Sequence, residues 1–143
     1  MPVQSPQTED QWRQYYDLRW QVLRAPWGQP REDCPLPDEE DAVHALICDD
    51  AGAALAVGRI IFRGEGEAQI RSMATAPARR GEGLGRQIME FLEEAARRRG
   101  VVSILLNART GAVPFYAGLG YRATGPGPKL FGQIEHVAMR KEL

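Results

Sequence analysis

Three glycines and three arginines occur together in the stretch RRGEGLGR, residues 79–86, directly before a strongly amphipathic pattern. The first N–H groups of a helix have no intrahelical partner and lie at the positive end of its dipole, so a helix start can bind an anion. Glycine has no Cβ and lets a phosphate approach, and arginine can hold a phosphate with two parallel hydrogen bonds. The stretch favours a phosphate-binding helix start, although Glu82 opposes this and a plain surface loop is the alternative.

The spacing of these glycines excludes two common phosphate-binding loops. The sequence has no G-x-x-x-x-G-K-[ST], and Gln87 or Ile88 stands where the dinucleotide fingerprint needs its third glycine. Another phosphate-bearing nucleotide at this stretch stays open as an alternative.

The elements around this stretch are predicted from periodicity and turn residues. Thr8 and Gln11 fit a capping box that starts a helix at residues 9–24. Further on we expect three strands in an antiparallel meander, at 42–48, 55–62 and 68–74, and then a helix after the glycines, at 84–99. A central strand at 101–107, a short helix at 111–118 and two final strands, one from 121 and one at 134–143, complete the order. This order predicts one domain over residues 1–143, of the α+β or mixed α/β class, with helices covering a sheet.

Composition limits the possible partners and compartment. The 18 Lys+Arg against 19 Asp+Glu leave a net charge of -1, which argues against binding to nucleic acid or to a membrane surface. No apolar run approaches the roughly 20 residues that cross a bilayer. The two cysteines, Cys34 and Cys48, fit no metal spacing and no nucleophile motif. We expect a soluble, cytoplasmic protein without a metal, and the sequence leaves open whether it is a homodimer.

Two motifs in the right relative positions identify a family resemblance. The order R-x-x-G-x-G (Arg80, Gly83, Gly85) follows a strand that ends M-A-T-A-P, residues 73–77, and is followed by LLNARTGAVPFYAGLGYRATG, residues 105–125. Together they resemble the acetyl-CoA signature and the later F-Y-x-x-x-G-[FY] motif of the GNAT superfamily of N-acetyltransferases. The resemblance covers roughly residues 42–143 and implies a mainly antiparallel central sheet with helices on both faces.

The resemblance also implies how acetyl-CoA would bind as co-substrate. The backbone amides near the glycines would hold the pyrophosphate, at Arg80, Gly81, Gly83, Gly85 and Arg86. The strand at Met73, Ala74 and Thr75 would lie along the pantetheine arm. A bulge in this strand, expected at Met73 or Ala74, would direct one amide to the thioester carbonyl.

Two further residues receive roles from the same resemblance. Tyr116 matches the tyrosine that many members use to protonate the departing thiolate, and a phenol is a competent acid for this step; packing in a short helix is the alternative. Asn107 is expected at the end of the central strand, where it either hydrogen-bonds the pantetheine or the short helix, or is an ordinary turn residue. Tyr121 is expected in the core.

The general base is not identified by spacing. Glu65, Glu67, His44, His136 and the acidic residues 39–41 are all candidates. Of the two histidines, His44 on an apolar strand favours a core position. His136 is the better candidate, because the resemblance implies that the final strands flank the acceptor side.

The acceptor amine is expected between the first helix, the proline-rich loop and the segment GPGPKLFG, residues 125–132. Trp20, Trp27 and Phe131 would form its walls, and Asp33 or Glu39 would attract an ammonium group; packing and surface-loop roles are the alternatives. The sequence therefore predicts direct acetyl transfer from acetyl-CoA to a primary amine, or a catalytically silent acyl-CoA-binding module of the same fold. The acceptor and the length of the acyl group stay open.

Overall fold

The computed structural model describes residues 1–31 and 41–143. Its helices and strands are α1 (Glu9–Leu23), β1 (Val43–Cys48), β2 (Ala54–Gly64), β3 (Glu67–Thr75), α2 (Leu84–Arg98), β4 (Ser103–Arg109), α3 (Val113–Gly118), β5 (Arg122–Pro126) and β6 (His136–Glu142). Short 3-10 turns precede or follow the helices at Ala25–Trp27, Pro77–Arg79 and Thr110–Ala112. The predicted capping box at α1 is confirmed. The Thr8 side chain accepts a hydrogen bond from the Gln11 backbone N–H, and the Gln11 side chain accepts one from the Thr8 backbone N–H.

The six strands form one sheet in the order β1-β2-β3-β4-β6-β5. β1, β2 and β3 are an antiparallel meander, as predicted, and α2 connects β3 to the parallel strand β4. The remaining pairs, β4 with β6 and β6 with β5, are antiparallel. The predicted mixed, mainly antiparallel sheet is confirmed.

The parallel pair at the centre of the sheet separates along its length. β3 pairs with β4 only where Glu67–Gln69 face Ser103–Leu105. Beyond this point β3 stays with β2 and β4 stays with β6, so a gap opens between the two strands. Arg140 fixes the closed end, since its guanidinium donates to Ser103 Oγ at 2.6 Å and to Glu67 Oε2 at 3.0 Å.

Helices cover both faces of the sheet, as predicted. Alternate residues of a strand point to opposite faces. In β2, Ala56 belongs to the buried cluster that contains Ile88 of α2, whereas Val57 belongs to the cluster that contains Tyr15 of α1. The helices α1 and α2 therefore pack on opposite faces. No helix of the described residues is long and apolar enough to cross a membrane.

The structure corrects one detail of the sequence interpretation, the position of Asn107. β4 continues to Arg109, so Asn107 pairs with Ala138 inside the strand and does not end it. Asn107 is also exposed while Leu106 and Ala108 on either side are buried, so β4 is covered on one face only at this end.

A buried polar network connects α2 to the last strands. Glu93 of α2 is only 6% exposed. Its carboxylate accepts a 2.8 Å hydrogen bond from the Tyr121 hydroxyl and lies 3.0 Å from Lys141 Nζ. The pKa of Tyr121 is raised well above its usual range by burial and then by the Glu93 charge. Tyr121 is thus a core residue, as expected.

Candidate active site

One cavity of about 1030 Å³ fills the gap between β3 and β4. It is lined by the open ends of both strands, the last two turns of α1, the start of α2, α3 and the segment near Phe131. All ten residues that the sequence assigned to acetyl-CoA or to catalysis line this cavity: Met73, Ala74, Thr75, Arg80, Gly81, Gly83, Gly85, Arg86, Asn107 and Tyr116.

The N-terminus of α2 has an open backbone at one end of the cavity. Gly81 (φ 84°) and Gly83 (φ 82°) are in the left-handed region that favours glycine, and Gly83 is the N-cap without a side-chain cap. A Cβ built at either glycine would meet no atom within 4 Å. The conformation and the free space together fit a bound phosphate at this helix start.

The charges around this helix start are not equivalent. Glu82 accepts from Arg79 Nε at 2.9 and 3.0 Å, and this hydrogen bond raises the pKa of the Arg79 guanidinium. Arg86 lies 3.5 Å from Glu90 in an exposed ion pair. Because Glu82 is occupied by Arg79, it opposes an anion at the glycines less than its position in the sequence suggests.

Gly85 connects the helix start to the short helix α3. A Cβ at Gly85 would lie 3.3 Å from Phe115 Cζ and 3.7 Å from Thr75 Oγ1. A side chain at position 85 would therefore come close to Phe115, in contrast to positions 81 and 83, which have free space. Phe115 of α3 and Thr75 of β3 thus both lie next to the α2 start.

A bulge interrupts β3 in the middle of the cavity wall. Val57 pairs with Ala74 and Arg59 pairs with Arg71, so Ser72 and Met73 both lie opposite Gly58. Ser72 has φ 58°, a left-handed conformation that is uncommon for a residue with a Cβ. The bulge was expected at Met73 or Ala74, and it consists of Met73 together with the preceding residue, Ser72. Arg59 Nε donates to Ser72 Oγ at 3.2 Å, which connects β2 to the bulge.

Tyr116 of α3 is buried next to other aromatic side chains. It is 8% exposed, and its ring makes edge contacts with Phe115 and Tyr121 at centroid distances of 5.0 and 6.0 Å. Burial raises the pKa of Tyr116 to about 12, and the positive charge of Arg109 opposes this shift. The phenol therefore keeps its proton at neutral pH and is able to donate it.

Arg109 is a site residue that the sequence analysis missed. It is the last residue of β4, lines the cavity and donates to the Leu23 carbonyl at 3.4 Å. Burial lowers the pKa of its guanidinium, and the nearby charge of Arg80 lowers it further. The predicted strand ended at Asn107, so the sequence gave no indication that Arg109 belongs to the strand and lines the cavity.

The two histidines have different surroundings. His44 is 6% exposed, and its Nδ1 lies 2.9 Å from the Tyr15 hydroxyl in the core, as expected. His136 lines the cavity, and its Nδ1 lies 2.9 and 3.1 Å from the carbonyl oxygens of Pro128 and Ile134. Because carbonyls only accept, Nδ1 must carry the hydrogen, which leaves Nε2 of the neutral ring as an acceptor.

The three aromatic residues predicted as acceptor walls lie in different places. Phe131 lines the cavity, with the Arg24 guanidinium 5.7 Å from its ring centroid. Trp20 and Trp27 are not among the lining residues. Trp20 Nε1 donates to the Gln29 carbonyl, and the Trp27 ring centroid lies 5.9 Å from Cζ of Arg109. The expected ammonium partners Asp33 and Glu39, with Glu40 and Cys34, lie outside the described residues.

Other candidate bases and ligands lie away from the cavity. Glu65 is in the β2–β3 turn, Glu67 is paired with Arg140, and Asp41 is exposed. Cys48 is a free thiol on β1 whose pKa is raised by burial and then by Asp49. Within residues 1–31 and 41–143, no group of His, Cys, Asp and Glu side chains is arranged to hold a metal ion.

Comparison with known proteins finds a matching family model and relatives of this chain. The model of the family described as "Acetyltransferase (GNAT) family" matches residues 12–121. The uncharacterized N-acetyltransferase YjcF of Bacillus subtilis (strain 168) is 28% identical over 134 residues, covering 94% of each chain.

Solved structures show the same fold. An acyl-CoA N-acyltransferase from Pseudomonas aeruginosa is 26% identical, with a TM-score of 0.75 over 97% of this chain and 96% of that one. An aminoglycoside 6'-N-acetyltransferase complexed with coenzyme A has a TM-score of 0.81 at 16% identity, over 99% and 97% of the two chains.

Proposed function

Because the chain belongs to the GNAT acetyltransferase family, we propose that it transfers an acetyl group from acetyl-CoA to a primary amine by direct attack. The main support is that the glycine-rich start of α2, the β3 bulge and Tyr116 line one cavity. A solved relative of the same fold is complexed with coenzyme A, which supports the choice of co-substrate. A cytoplasmic location is part of the proposal.

In this proposal the co-substrate lies along β3. The amides at Gly81, Gly83 and Gly85, with Arg80 and Arg86, bind the pyrophosphate at the α2 dipole. The β3 edge at Met73, Ala74 and Thr75 is unpaired on the side of the gap and offers N–H and C=O groups to the pantetheine amides. Asn107, exposed on the opposite wall, provides a further hydrogen-bonding side chain.

The reaction replaces the thioester sulfur by the amine nitrogen. A backbone amide at the Ser72–Met73 bulge donates to the carbonyl oxygen as negative charge develops there. Tyr116 gives its proton to the departing sulfur. His136 Nε2, directly or through water, takes the proton that the amine loses, and no covalent enzyme intermediate is formed.

A thiol-release assay tests the proposal. Purified protein is incubated with acetyl-CoA and a panel of primary amines, and free thiol is measured with a chromogenic disulfide. Amine-dependent thiol release with a matching acetylated product is the expected result. Tight acetyl-CoA binding without thiol release for any amine would instead support the alternative, a silent acyl-CoA-binding module. Thermal shifts with acetyl-CoA, ATP and NAD identify the cofactor independently, since only a bound ligand stabilises the folded state.

A further inference from the structure

The link between β5 and β6 carries an aromatic residue in a strained backbone conformation. Phe131 has φ 53° and is followed by Gly132 with φ 67°. The Gln133 N–H donates to the Leu130 carbonyl at 3.0 Å, so the two residues between them are the centre of a tight turn. Positive φ at both central positions is the geometry of a type I′ turn, which prefers asparagine, aspartate or glycine at the first position. A bulky aromatic residue at this position is strained.

Packing against the core does not account for this conformation. Two buried clusters form the core of the part of the chain that the structure describes. Neither these clusters nor the partly buried apolar residues packed against them include Leu130 or Phe131. Leu130 is 40% exposed, and both residues line the cavity. Strained residues are concentrated at active sites and ligand-binding sites, so the cavity is where the Phe131 ring has a role.

The turn is connected to His136, the proposed proton acceptor. Leu130 and Ile134 exchange two backbone hydrogen bonds of 2.8 and 2.9 Å, and the Ile134 carbonyl accepts from His136 Nδ1 at 3.1 Å. Two residues of extended chain span about 7 Å, so the turn begins within this distance of His136. The other end of the link adjoins β4, because a Cβ built at Gly127 would lie 3.1 Å from Asn107 Oδ1.

The end of α1 lies next to the turn. Arg24, the C-cap of α1, has its guanidinium carbon 5.7 Å from the Phe131 ring centroid. The preceding residues Val22 and Leu23 line the same cavity, and the Leu23 carbonyl accepts from Arg109 of β4 at 3.4 Å. Apolar residues of two elements therefore line this part of the cavity: Val22, Leu23, Leu130 and Phe131.

We propose that the acceptor is an amine that carries an apolar group, aliphatic or aromatic, and that Leu130 and Phe131 bind this group. The amine nitrogen then lies near His136 Nε2, and the apolar group lies a few bonds away against the turn. Removing such a group from water strengthens binding by about 10-fold or more. This inference rests on the proposed acetyl transfer and defines the class of its second substrate.

Matched amines test the proposal by binding as well as by turnover. Calorimetric titrations are made with unacylated CoA present, so that the phosphate end is occupied. Phenethylamine is compared with ethylamine, which lacks the ring. Isopentylamine is compared with putrescine and γ-aminobutyrate, which have a similar length and end in a cation or a carboxylate. We expect phenethylamine and isopentylamine to bind at least about 10-fold more tightly than their partners. The difference between these two shows whether a ring or a branched chain is preferred.

Phe131→Asn connects this preference to the strained turn. Asparagine followed by glycine is the preferred pair in a type I′ turn, so the urea midpoint of the variant should equal or exceed that of the wild type. Its affinity for phenethylamine should fall by about 10-fold or more, with binding of ethylamine unaffected. Phe131→Tyr keeps the ring and should recover most of the affinity.

The link between β2 and β3 offers a matched control. Glu65 (φ 57°) and Gly66 (φ 77°) have the same two left-handed conformations, and neither residue is part of the cavity lining. Glu65→Asn places the same favoured pair in this turn. The urea midpoint should therefore equal or exceed that of the wild type in both asparagine variants, whereas the preference for apolar amines should be lost only in Phe131→Asn.

The outcomes separate this inference from the proposed function. Equal or tighter binding of ethylamine, putrescine or γ-aminobutyrate would overturn the inference even if acetyl transfer is observed. So would an apolar preference that survives in Phe131→Asn, or no binding of any apolar amine at millimolar concentration. A urea midpoint of Phe131→Asn well below that of the wild type would assign the ring to the fold and also contradict the inference. Conversely, CoA binding without thiol release for any amine contradicts the transfer reaction, while the titrations still decide whether the cavity selects apolar amines.

Discussion

Gly58 of β2 lies directly under the Met73 side chain of β3. A Cβ at position 58 would approach Met73 Sδ to 2.4 Å and Ile88 Cγ2 to 2.8 Å. The glycine thus allows the bulge residue Met73 and the helix α2 to pack on the same point of the sheet. Since Met73 is part of the wall proposed to hold the pantetheine, the packing of this glycine is coupled to the site.

Gly58→Ala should therefore reduce both stability and co-substrate binding. Inserting a methyl group into this packed position is expected to cost about 1–3 kcal/mol, measured by urea unfolding, and to raise the Kd for CoA as Met73 is displaced. Gly118→Ala is the matched control: it has no atom within 4 Å of the added Cβ, so its stability should be unchanged or slightly higher. Wild-type stability in Gly58→Ala would contradict the described packing.

Tyr116→Phe tests the proposed general acid. Removing the hydroxyl should lower kcat by about 100-fold or more, with the affinity for CoA unchanged because the ring still packs between Phe115 and Tyr121. Burial raises the pKa of Tyr116 to about 12, so wild-type kcat should show no decrease from loss of this proton up to about pH 10. Full turnover in Tyr116→Phe would exclude the assignment.

Burial of Tyr116 should also make the protein less stable in alkaline solution. The pKa of this tyrosine is raised from 10.0 to about 12 on folding, so between these values the unfolded chain loses the proton while the folded chain keeps it. The unfolded state then binds fewer protons, and the free energy of unfolding falls with rising pH by up to about 1.4 kcal/mol per unit.

Urea unfolding at pH 8, 10 and 11 measures this effect. Tyr116→Phe should differ from the wild type by a constant amount below about pH 9 and should lose stability less steeply above pH 10. Tyr121, whose pKa is raised in the same direction, remains in the variant, so some alkaline loss persists. Parallel curves for the two proteins up to pH 11 would contradict the prediction.

The sequence predicted most of the elements because local signals agreed with the fold. The Thr8 capping box and the short links between β1, β2 and β3 are encoded by neighbouring residues. The three glycines of residues 81–85 were also recognised, but for one shared reason. The structure separates them: Gly81 and Gly83 have a left-handed φ, whereas Gly85 lies close to Phe115.

The missed features depend on contacts between distant residues. The pairing of Arg59 with Arg71 follows from the bulge register, which one strand alone does not encode. Glu93 fits an i,i+4 pair with Arg97, yet its main partners, Tyr121 and Lys141, lie 28 and 48 residues away. Such partners are invisible to periodicity, which only reports the preferred face of a helix.

The arginines at the start of α2 are expected to contribute unequally to the affinity for CoA. Arg80 and Arg86 lie at the start of α2, where a phosphate would receive both the helix amides and the guanidinium groups. Arg80→Ala or Arg86→Ala should raise the Kd for CoA by about 10-fold, measured by calorimetry. Arg79→Ala should have a smaller effect, because Arg79 is paired with Glu82.

A truncated ligand separates phosphate binding from a general loss of affinity. S-acetylpantetheine has the same thioester arm as acetyl-CoA and lacks the pyrophosphate, so its affinity should be the same in wild type and Arg80→Ala. Arg98→Ala, which removes an exposed arginine 3.4 Å from Glu94 at the other end of α2, is the control for charge and helix stability. If Arg80→Ala weakened both ligands equally, the pyrophosphate would have to lie elsewhere. If it weakened only CoA and the difference decreased at high salt, as expected for a partly exposed ion contact, the α2 start would be established as the phosphate site.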